Sequence, residues 1–157
     1  MWFLNNVSKS FLLIFIIPFV LGAFDTRYWW FLSALLMFDI FLGFIKYFIG
    51  NKADMFKRPD GAFACNIFCL PSNDEGHPGF PSGHVASTTM MLIILMYFVN
   101  NTFFTVFACT YIVLMALSRY KKKCHNVIQI TGGFVFGIVG ALAFIQLSPK
   151  EIWTLTP

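Results

Sequence analysis

The chain has 157 residues, of which 58% are hydrophobic, only 11% are charged and 21 are phenylalanine. A soluble domain carries about 25% charged residues, so this composition excludes a protein that covers itself with polar side chains in water. The net charge is +4, but no basic face or nucleic-acid-binding motif accompanies it, and we expect no nucleic-acid partner. We predict an all-α fold, a single integral-membrane domain of several spanning helices over residues 1–157.

Five apolar segments are candidate membrane spans, because a helix needs about 20 apolar residues to cross the bilayer. They are predicted at residues 7–24, 28–49, 84–99, 102–118 and 127–147. The first segment has a rival interpretation, since Lys9, an apolar stretch and the small-residue string "LGA" are also typical of a cleaved signal peptide. We favour an uncleaved span, because the apolar run is long enough to cross.

Two features inside the predicted spans concern the packing of the bundle. Gly133, Gly137 and Ala141 recur at four-residue spacing, which places them on one helix face and predicts close packing against a neighbouring helix. Asp39 lies in the middle of the second span, where ionisable side chains tend to be functional. It shares a helix face with Lys46 two turns later, and we expect it to pair inside the bundle rather than to act directly in catalysis.

The unusual polar residues fall in or beside two loops on one side of the membrane. Loop 50–83 and loop 118–126 are separated by two predicted spans, so both emerge on the same face. The first loop contains "KRPDGA" at residues 57–62 and "PSGH" at residues 81–84, and the second lies within "SRYKKKCHNVIQ" at residues 118–129. This co-location predicts one site at the membrane edge.

The residue types of the two loops suit the binding of a phosphoryl group. Ser82 is a good N-cap for the third span, and Gly83 permits a close approach of the backbone. The helix start then offers free N–H groups to an anion. Arg58 and Arg119 each carry a forked guanidinium that binds phosphate oxygens in pairs. Acid and nucleophile roles suit the two histidines of the loops, His84 and His125.

Three stretches of the chain resemble the signature of the type-2 phosphatidic acid phosphatase superfamily, which also includes vanadium haloperoxidases. The family pattern is KxxxxxxRP, then PSGH, then SRxxxxxHxxxD. The chain carries "RP" at Arg58 and Pro59, the whole of "PSGH" at residues 81–84, and "SRxxxxxH" from Ser118 to His125. The peroxidases are soluble and much longer, so the membrane lipid phosphatase branch is the better match.

Two positions depart from the family pattern. The lysine expected seven residues before "RP" falls on Asn51, so the motif lysine is either Lys46 or Lys52. We prefer Lys46, because its flank "IKYFIG" resembles the family sequence, with about five residues inserted before "RP". The last motif ends in Gln129 where the family has Asp, and we expect this amide to orient His125 in a slower enzyme.

The resemblance implies metal-independent hydrolysis of a membrane lipid phosphate, such as phosphatidic acid or a polyprenyl diphosphate, without a cofactor. His125 attacks phosphorus to form a phosphohistidine, and His84 protonates the leaving oxygen and then activates water. The groups that hold the phosphoryl oxygens are Lys46 or Lys52, Arg58, Ser82, Gly83 and Arg119. The alternative is a weak or inactive family member that binds anionic lipid or has a structural role in the membrane.

The cysteines and the charges bear on the compartment of the site. The four cysteines, at positions 65, 69, 109 and 124, form no zinc-type pair, so we expect no metal site, and Cys65 and Cys69 can bridge in an oxidised loop. Nine Lys and Arg lie on the side of the loops, against Arg27 and Lys150 on the other, which favours a cytosolic site. The family resemblance favours an extracytosolic site. Because four or five of the nine cations serve phosphate, we favour the extracytosolic side.

Overall fold

The computed structural model describes residues 2–50 and 52–149, and these residues form a bundle of helices. The six α-helices are α1 Trp2–Lys9, α2 Leu13–Gly22, α3 Arg27–Ile49, α4 Gly83–Val99, α5 Thr102–Lys121 and α6 Val127–Leu147. A 3-10 turn at Ser10–Leu12 joins α1 to α2, and a second one at Asp54–Phe56 lies in the long loop after α3. The described residues contain no strand, so the predicted all-α, multi-pass class is confirmed. Asn51 and Lys150 lie outside the described residues.

Within the described residues, four helical segments are long and apolar enough to cross a membrane, which is consistent with an integral membrane protein. They are Trp2–Gly22, Arg27–Ile49, Thr102–Lys121 and Val127–Leu147. The first begins before the predicted residue 7, because the helix includes the N-terminal residues from Trp2 onward.

The third predicted span, α4, is the central helix of the bundle. It has 17 residues, which is the lower limit for crossing a bilayer. Ten of them are buried, so α4 meets the surrounding helices rather than lipid. This location explains how α4 accommodates polar side chains such as Ser87, Thr88 and Thr89, all of which are buried.

The stripe of small residues on α6 lies against α4, as predicted. A Cβ atom added to Gly137 would stand 2.5 Å from the carbonyl oxygen of Ala86, and one added to Gly133 would stand 2.8 Å from that of Ser82. Ala141, one turn further along α6, is fully buried. The two backbones therefore come close because these positions have little or no side chain.

The first helical segment packs into the bundle beside α5. The hydroxyl of Ser118 donates to the carbonyl of Leu4 at 2.7 Å, and the Ser8 and Ser118 hydroxyls are 2.5 Å apart. Phe11 is only 1% exposed and belongs to the main hydrophobic core. These contacts make the first helical segment part of the packed bundle.

The long loop between α3 and α4 folds back on itself over the end of the bundle. Isolated bridges pair Lys57 with Pro78 and Phe63 with Asn73. The buried carboxylate of Asp74 accepts hydrogen bonds from the Cys65 backbone N–H at 2.8 Å and from the Ser72 hydroxyl at 2.7 Å. The bridges and the bond from Cys65 to Asp74 join separate parts of the loop and give it a defined shape.

A disulfide joins Cys65 of the long loop to Cys124 of the loop between α5 and α6. The suggested bridge between Cys65 and Cys69 is therefore wrong. Cys69 is a free, buried thiol, because the loop turns its side chain toward Arg119 and His84, at 3.5 Å and 3.7 Å from the sulfur. The disulfide ties together the two loops that carry the sequence motifs.

We predict that Gly137→Val destabilises the bundle, because the new side chain collides with the α4 backbone at Ala86. Overpacking of this kind costs about 1–3 kcal/mol, which lowers the midpoint of thermal unfolding in detergent. The control is Val139→Leu, which adds bulk at an exposed position of the same helix. Equal midpoints for the two variants contradict the close contact between α4 and α6.

Candidate active site

A cavity of about 120 Å³ lies at the end of the bundle where the two tied loops meet. Its lining includes these sequence-predicted residues: Lys46, Arg58, Gly83, His84 and His125. They come from the last turn of α3, the long loop, the first turn of α4 and the loop before α6. The fold thus brings together residues that are up to 79 positions apart in the chain.

Of the two candidate lysines, Lys46 lines the cavity and Lys52 does not. The ammonium nitrogen of Lys46 would be 3.3 Å from a Cβ atom at Gly83, so it lies directly beside the start of α4. Lys52 is exposed, beyond the end of α3. A side chain at position 83 would crowd the ammonium group, which is a physical reason for glycine there.

Ser82 occupies the N-cap position of α4, but its hydroxyl does not cap the helix. Its backbone is extended as a cap requires, yet no side-chain capping bond forms, which corrects the expectation of a serine cap. The hydroxyl oxygen is buried and has no hydrogen-bond partner among the described residues. Since buried polar groups are normally satisfied, a bound anion at the helix start would supply the missing partner.

Arg58 presents buried N–H groups that lack partners. Neither its Nε nor its Nη1 makes a hydrogen bond within the part of the chain that the structure describes. Its nearest acidic oxygen is Asp74 Oδ2, 3.9 Å from Nη1, which is too long for a hydrogen bond. The guanidinium therefore has donors available at the edge of the cavity.

Arg119 is fully buried behind the cavity rather than in its lining. Its Nη2 donates to the Cys65 carbonyl at 2.7 Å, and its Nη1 lies 3.4 Å from the Ser8 hydroxyl. Its Nε has no partner among the described residues. Through Nη2 the Arg119 guanidinium thus holds the long loop in place, and its positive charge lies beside the cavity.

His84 lies in the first turn of α4 and is held between an aromatic ring and a thiol. Its ring stacks on Phe11 with centroids 4.1 Å apart and an angle of 28° between the planes. Its Nε2 is 3.7 Å from the Cys69 sulfur. Phe11 comes from the first helical segment, so that segment forms one wall of the site.

The proton on His125 is fixed by the amide of Gln129. Gln129 Nε2 donates to the carbonyls of Lys57 at 2.7 Å and Met55 at 3.1 Å. The amide oxygen must therefore face the imidazole, and it lies 2.9 Å from His125 Nδ1. An acceptor at this distance requires Nδ1 to carry the proton, which leaves Nε2 with a free lone pair.

The surroundings of His125 also keep its imidazole neutral. Burial, followed by the positive charges of Arg119 and Arg58, lowers the pKa of His125 well below its usual range, while the Gln129 bond opposes this change. A neutral ring with its lone pair on Nε2 is the form of histidine that can act as a nucleophile.

Gly79 makes room for this arrangement. A Cβ atom there would stand 2.6 Å from the Gln129 amide oxygen and 3.0 Å from Arg58 Cγ. Sequence reasoning missed Gly79, together with Ser8, Phe11, Cys69 and Asp74. Gly79 directly precedes the "PSGH" stretch, which is a usable signal, whereas the other four carry no motif.

Within the described residues, no group of three or more His, Cys, Asp or Glu side chains is arranged to hold a metal ion. Around the cationic end of the cavity, the unpartnered groups of the described residues include these hydrogen-bond donors: Ser82 Oγ, Arg58 Nε and Nη1, and Arg119 Nε. Such donors, together with the Lys46 ammonium, are suited to an anion with several oxygens.

Comparison with known proteins gives no match among curated proteins and none among solved structures. A family model, that of the PAP2 superfamily, matches residues 27–153. The match covers α3 to α6, both loops and all the sequence motifs, and it excludes the segment that carries Phe11. A match over most of the chain shows that the protein belongs to the PAP2 superfamily, a membership that supports phosphatase-type hydrolase activity.

Proposed function

We propose that the protein is a metal-independent lipid phosphate phosphatase that acts through a phosphohistidine. The observation that carries this proposal is the state of His125. It is neutral, its proton is held on Nδ1 by Gln129, and it lines a cavity whose walls offer unpartnered cationic donors. A nucleophile and a phosphate-binding pocket meet in one place.

In the first step, Nε2 of His125 attacks phosphorus, and the bond from phosphorus to the ester oxygen breaks. His84 gives its proton to that oxygen, which leaves as an alcohol. The negative charge of the bound phosphate favours the protonated form of His84 before this transfer. In the second step His84 accepts a proton from water, the water oxygen attacks phosphorus, and the phosphorus–nitrogen bond breaks to release inorganic phosphate.

The cations act on the charge that develops on the phosphoryl oxygens. Lys46 and Arg58 line the cavity and contact these oxygens, while the backbone N–H groups at Gly83 and the Ser82 hydroxyl bind them at the helix start. Arg119 contributes through its charge and its free Nε. Positioning and electrostatic stabilisation of this kind provide most of the catalysis in phosphoryl transfer.

The substrate class follows from the apolar side of the cavity. Phe11, Leu42 and Gly43 line it, and Leu42 and Gly43 lie on α3 on the bilayer side of Lys46. A phosphate held by the cations therefore has its carbon chain directed toward the lipid-embedded part of the bundle. This arrangement supports a lipid phosphate over a soluble phosphate ester.

The disulfide supports an extracytosolic site. Disulfides persist in oxidising compartments and are rare in the cytosol, and Cys65–Cys124 joins the two loops around the cavity. Three of the nine cations on this side, Lys46, Arg58 and Arg119, belong to the site, which weakens the opposing argument from the positive-inside rule.

We predict that the purified protein releases inorganic phosphate from lipid phosphates, that a chelator leaves the rate unchanged, and that vanadate inhibits it. His125→Ala abolishes release, because no other group replaces the nucleophile. The control is His77→Ala, which removes an exposed histidine of the long loop. Loss of activity with a chelator that magnesium restores contradicts this mechanism. Binding of anionic lipid without turnover in any variant supports the non-catalytic alternative.

We predict that Gln129→Leu lowers kcat by about a hundred- to ten-thousand-fold, the range for general acid–base groups. The variant removes the acceptor for His125 Nδ1, so the imidazole is free to place its proton on Nε2. Gln146→Leu makes the same chemical change at an exposed position of α6 and should leave kcat unchanged. Full activity in Gln129→Leu means that the amide does not set the tautomer.

We predict that the acidic limb of the pH profile of kcat/KM lies below pH 6.5, the ordinary pKa of histidine, because burial lowers the pKa of His125. The neutral nucleophile is present above its lowered pKa and is lost only when the pH falls through that value. Phosphate release between pH 4 and 8 gives the profile. An acidic limb centred above pH 6.5 contradicts the lowered pKa.

We predict that, in sealed vesicles with the extracytosolic face outward, an impermeant maleimide labels the variant His77→Cys, whose new thiol lies at an exposed position of the long loop. The bridged Cys65 and Cys124 are buried, and a Cys69→Ala, Cys109→Ala background removes the two free thiols. The same background without His77→Cys is the control for residual labelling, and lysed vesicles give the full signal. Labelling that appears only after lysis places the loops in the cytosol.

A further inference from the structure

Asp39 is a half-buried residue in the lining of the cavity whose carboxylate the proposed reaction does not use. Its Oδ1 accepts a hydrogen bond from the Ser87 hydroxyl at 2.6 Å. Its Oδ2 is buried and makes no hydrogen bond to any described residue. An ionisable side chain in a membrane span is costly and is functional by default, so the unpaired oxygen calls for a partner.

Asp39 lies deeper in the bundle than the phosphate-binding groups. Ser87, its partner, is four residues after Gly83 on α4, which is about 6 Å along the helix. The helix start binds phosphate at Gly83, so the carboxylate stands roughly one helical turn below it. In a phosphate ester, four bonds separate the phosphorus atom from a group on the second carbon of the alcohol. These four bonds span a distance comparable to one helical turn.

The cavity wall between Gly83 and Asp39 leaves space for a ligand. Gly43 lines the cavity one turn after Asp39, and a Cβ atom added to it would meet nothing within 4 Å. A ligand held by Lys46 therefore has space along α3 toward Asp39. The carboxylate can turn about its Cβ–Cγ bond, so either oxygen can keep the Ser87 bond while the other accepts from a ligand.

The chemistry of the partner follows from the acceptor. A carboxylate oxygen accepts hydrogen bonds and donates none, so it pairs with a hydroxyl or an ammonium group. A substrate without such a group leaves the buried oxygen unpaired, which disfavours its binding.

We propose that Asp39 is a specificity-determining residue that selects phosphate monoesters carrying a hydroxyl or ammonium group on the carbon next to the ester carbon. This inference rests on the proposed phosphatase function and narrows its substrate class. Lipid phosphates with a free hydroxyl or amine at this carbon are favoured over fully acylated ones and over polyprenyl phosphates, which lack a donor.

The test uses three short esters that differ in one group: ethyl phosphate, 2-hydroxyethyl phosphate and 2-aminoethyl phosphate. The wild-type protein should show kcat/KM values about ten-fold or more higher for the two donor-bearing esters, as expected for a hydrogen bond to a charged group. A preference for the amino ester over the hydroxy ester identifies an ammonium as the natural group, and the reverse order identifies a hydroxyl.

Asp39→Asn should bring the ratio of kcat/KM for the donor-bearing esters to kcat/KM for ethyl phosphate close to one. The asparagine keeps the Ser87 bond through its oxygen and turns an N–H group toward the cavity. Ser87→Ala should keep the ratio, because the carboxylate remains. Equal kcat/KM values for all three esters in the wild type, or an equal loss of the ratio in both variants, overturn the proposal.

Binding separates a failure of this inference from a failure of the proposed function. Each ester is also tested for its stabilisation of the wild-type protein against thermal unfolding, with inorganic phosphate as the reference. If no ester or lipid is hydrolysed, the phosphatase proposal fails, while greater stabilisation by the donor-bearing esters still supports Asp39. Equal stabilisation by all three esters contradicts the proposed role of Asp39 in selecting the substrate. This thermal measurement uses the wild-type protein, so it does not depend on the folding of a variant.

Discussion

The hydrogen bonds of the Gln129 side chain are the interactions on which the site depends. One amide joins the imidazole of His125 to the carbonyls of Met55 and Lys57 in the long loop. It therefore fixes the tautomer of the histidine and the position of the loop at the same time. The loop in turn carries Arg58 and the disulfide to Cys124. Loss of this amide therefore disturbs the proposed nucleophile and the position of Arg58 together.

The site gathers positive charges that repel one another, and the surrounding structure must hold them. Arg119 and Arg58 both act on His125, and Lys46 lines the same cavity. The Cys65–Cys124 disulfide closes a separation of 59 residues, which stabilises the folded chain by about 4 kcal/mol relative to an open one on the chain-entropy account. A covalent tie and the buried Asp74 hold the loops in place around a cavity that keeps Lys46 and Arg58 in its lining.

Short-range features of the site could be predicted from the sequence, because they depend on spacing along one helix. Gln129 is one turn after His125, and the small residues of α6 recur once per turn, so their faces follow from helix geometry. The helical class likewise follows from the apolar runs. The extent of α1 was underestimated, since polar residues near its start interrupt the apolar pattern without interrupting the helix.

Long-range features could not be predicted, because no local pattern encodes them. The partner of Cys65 depends on how two loops fold over the bundle end. The stacking of Phe11 on His84 joins residues 73 positions apart, and Phe11 is one of many phenylalanines in apolar runs. The Ser82 hydroxyl has the sequence context of a cap, yet the structure leaves it unpartnered beside the cavity.

The two departures from the family pattern meet at one place in the structure. The stretch between Lys46 and Arg58 is about five residues longer than the family spacing, and Met55 and Lys57 lie within it. Their carbonyls accept the two bonds that the Gln129 amide donates. An aspartate at this position has no N–H to offer these carbonyls and would leave them without their partner. The longer loop and the glutamine therefore fit each other, because the loop supplies the acceptors that turn the amide oxygen toward His125.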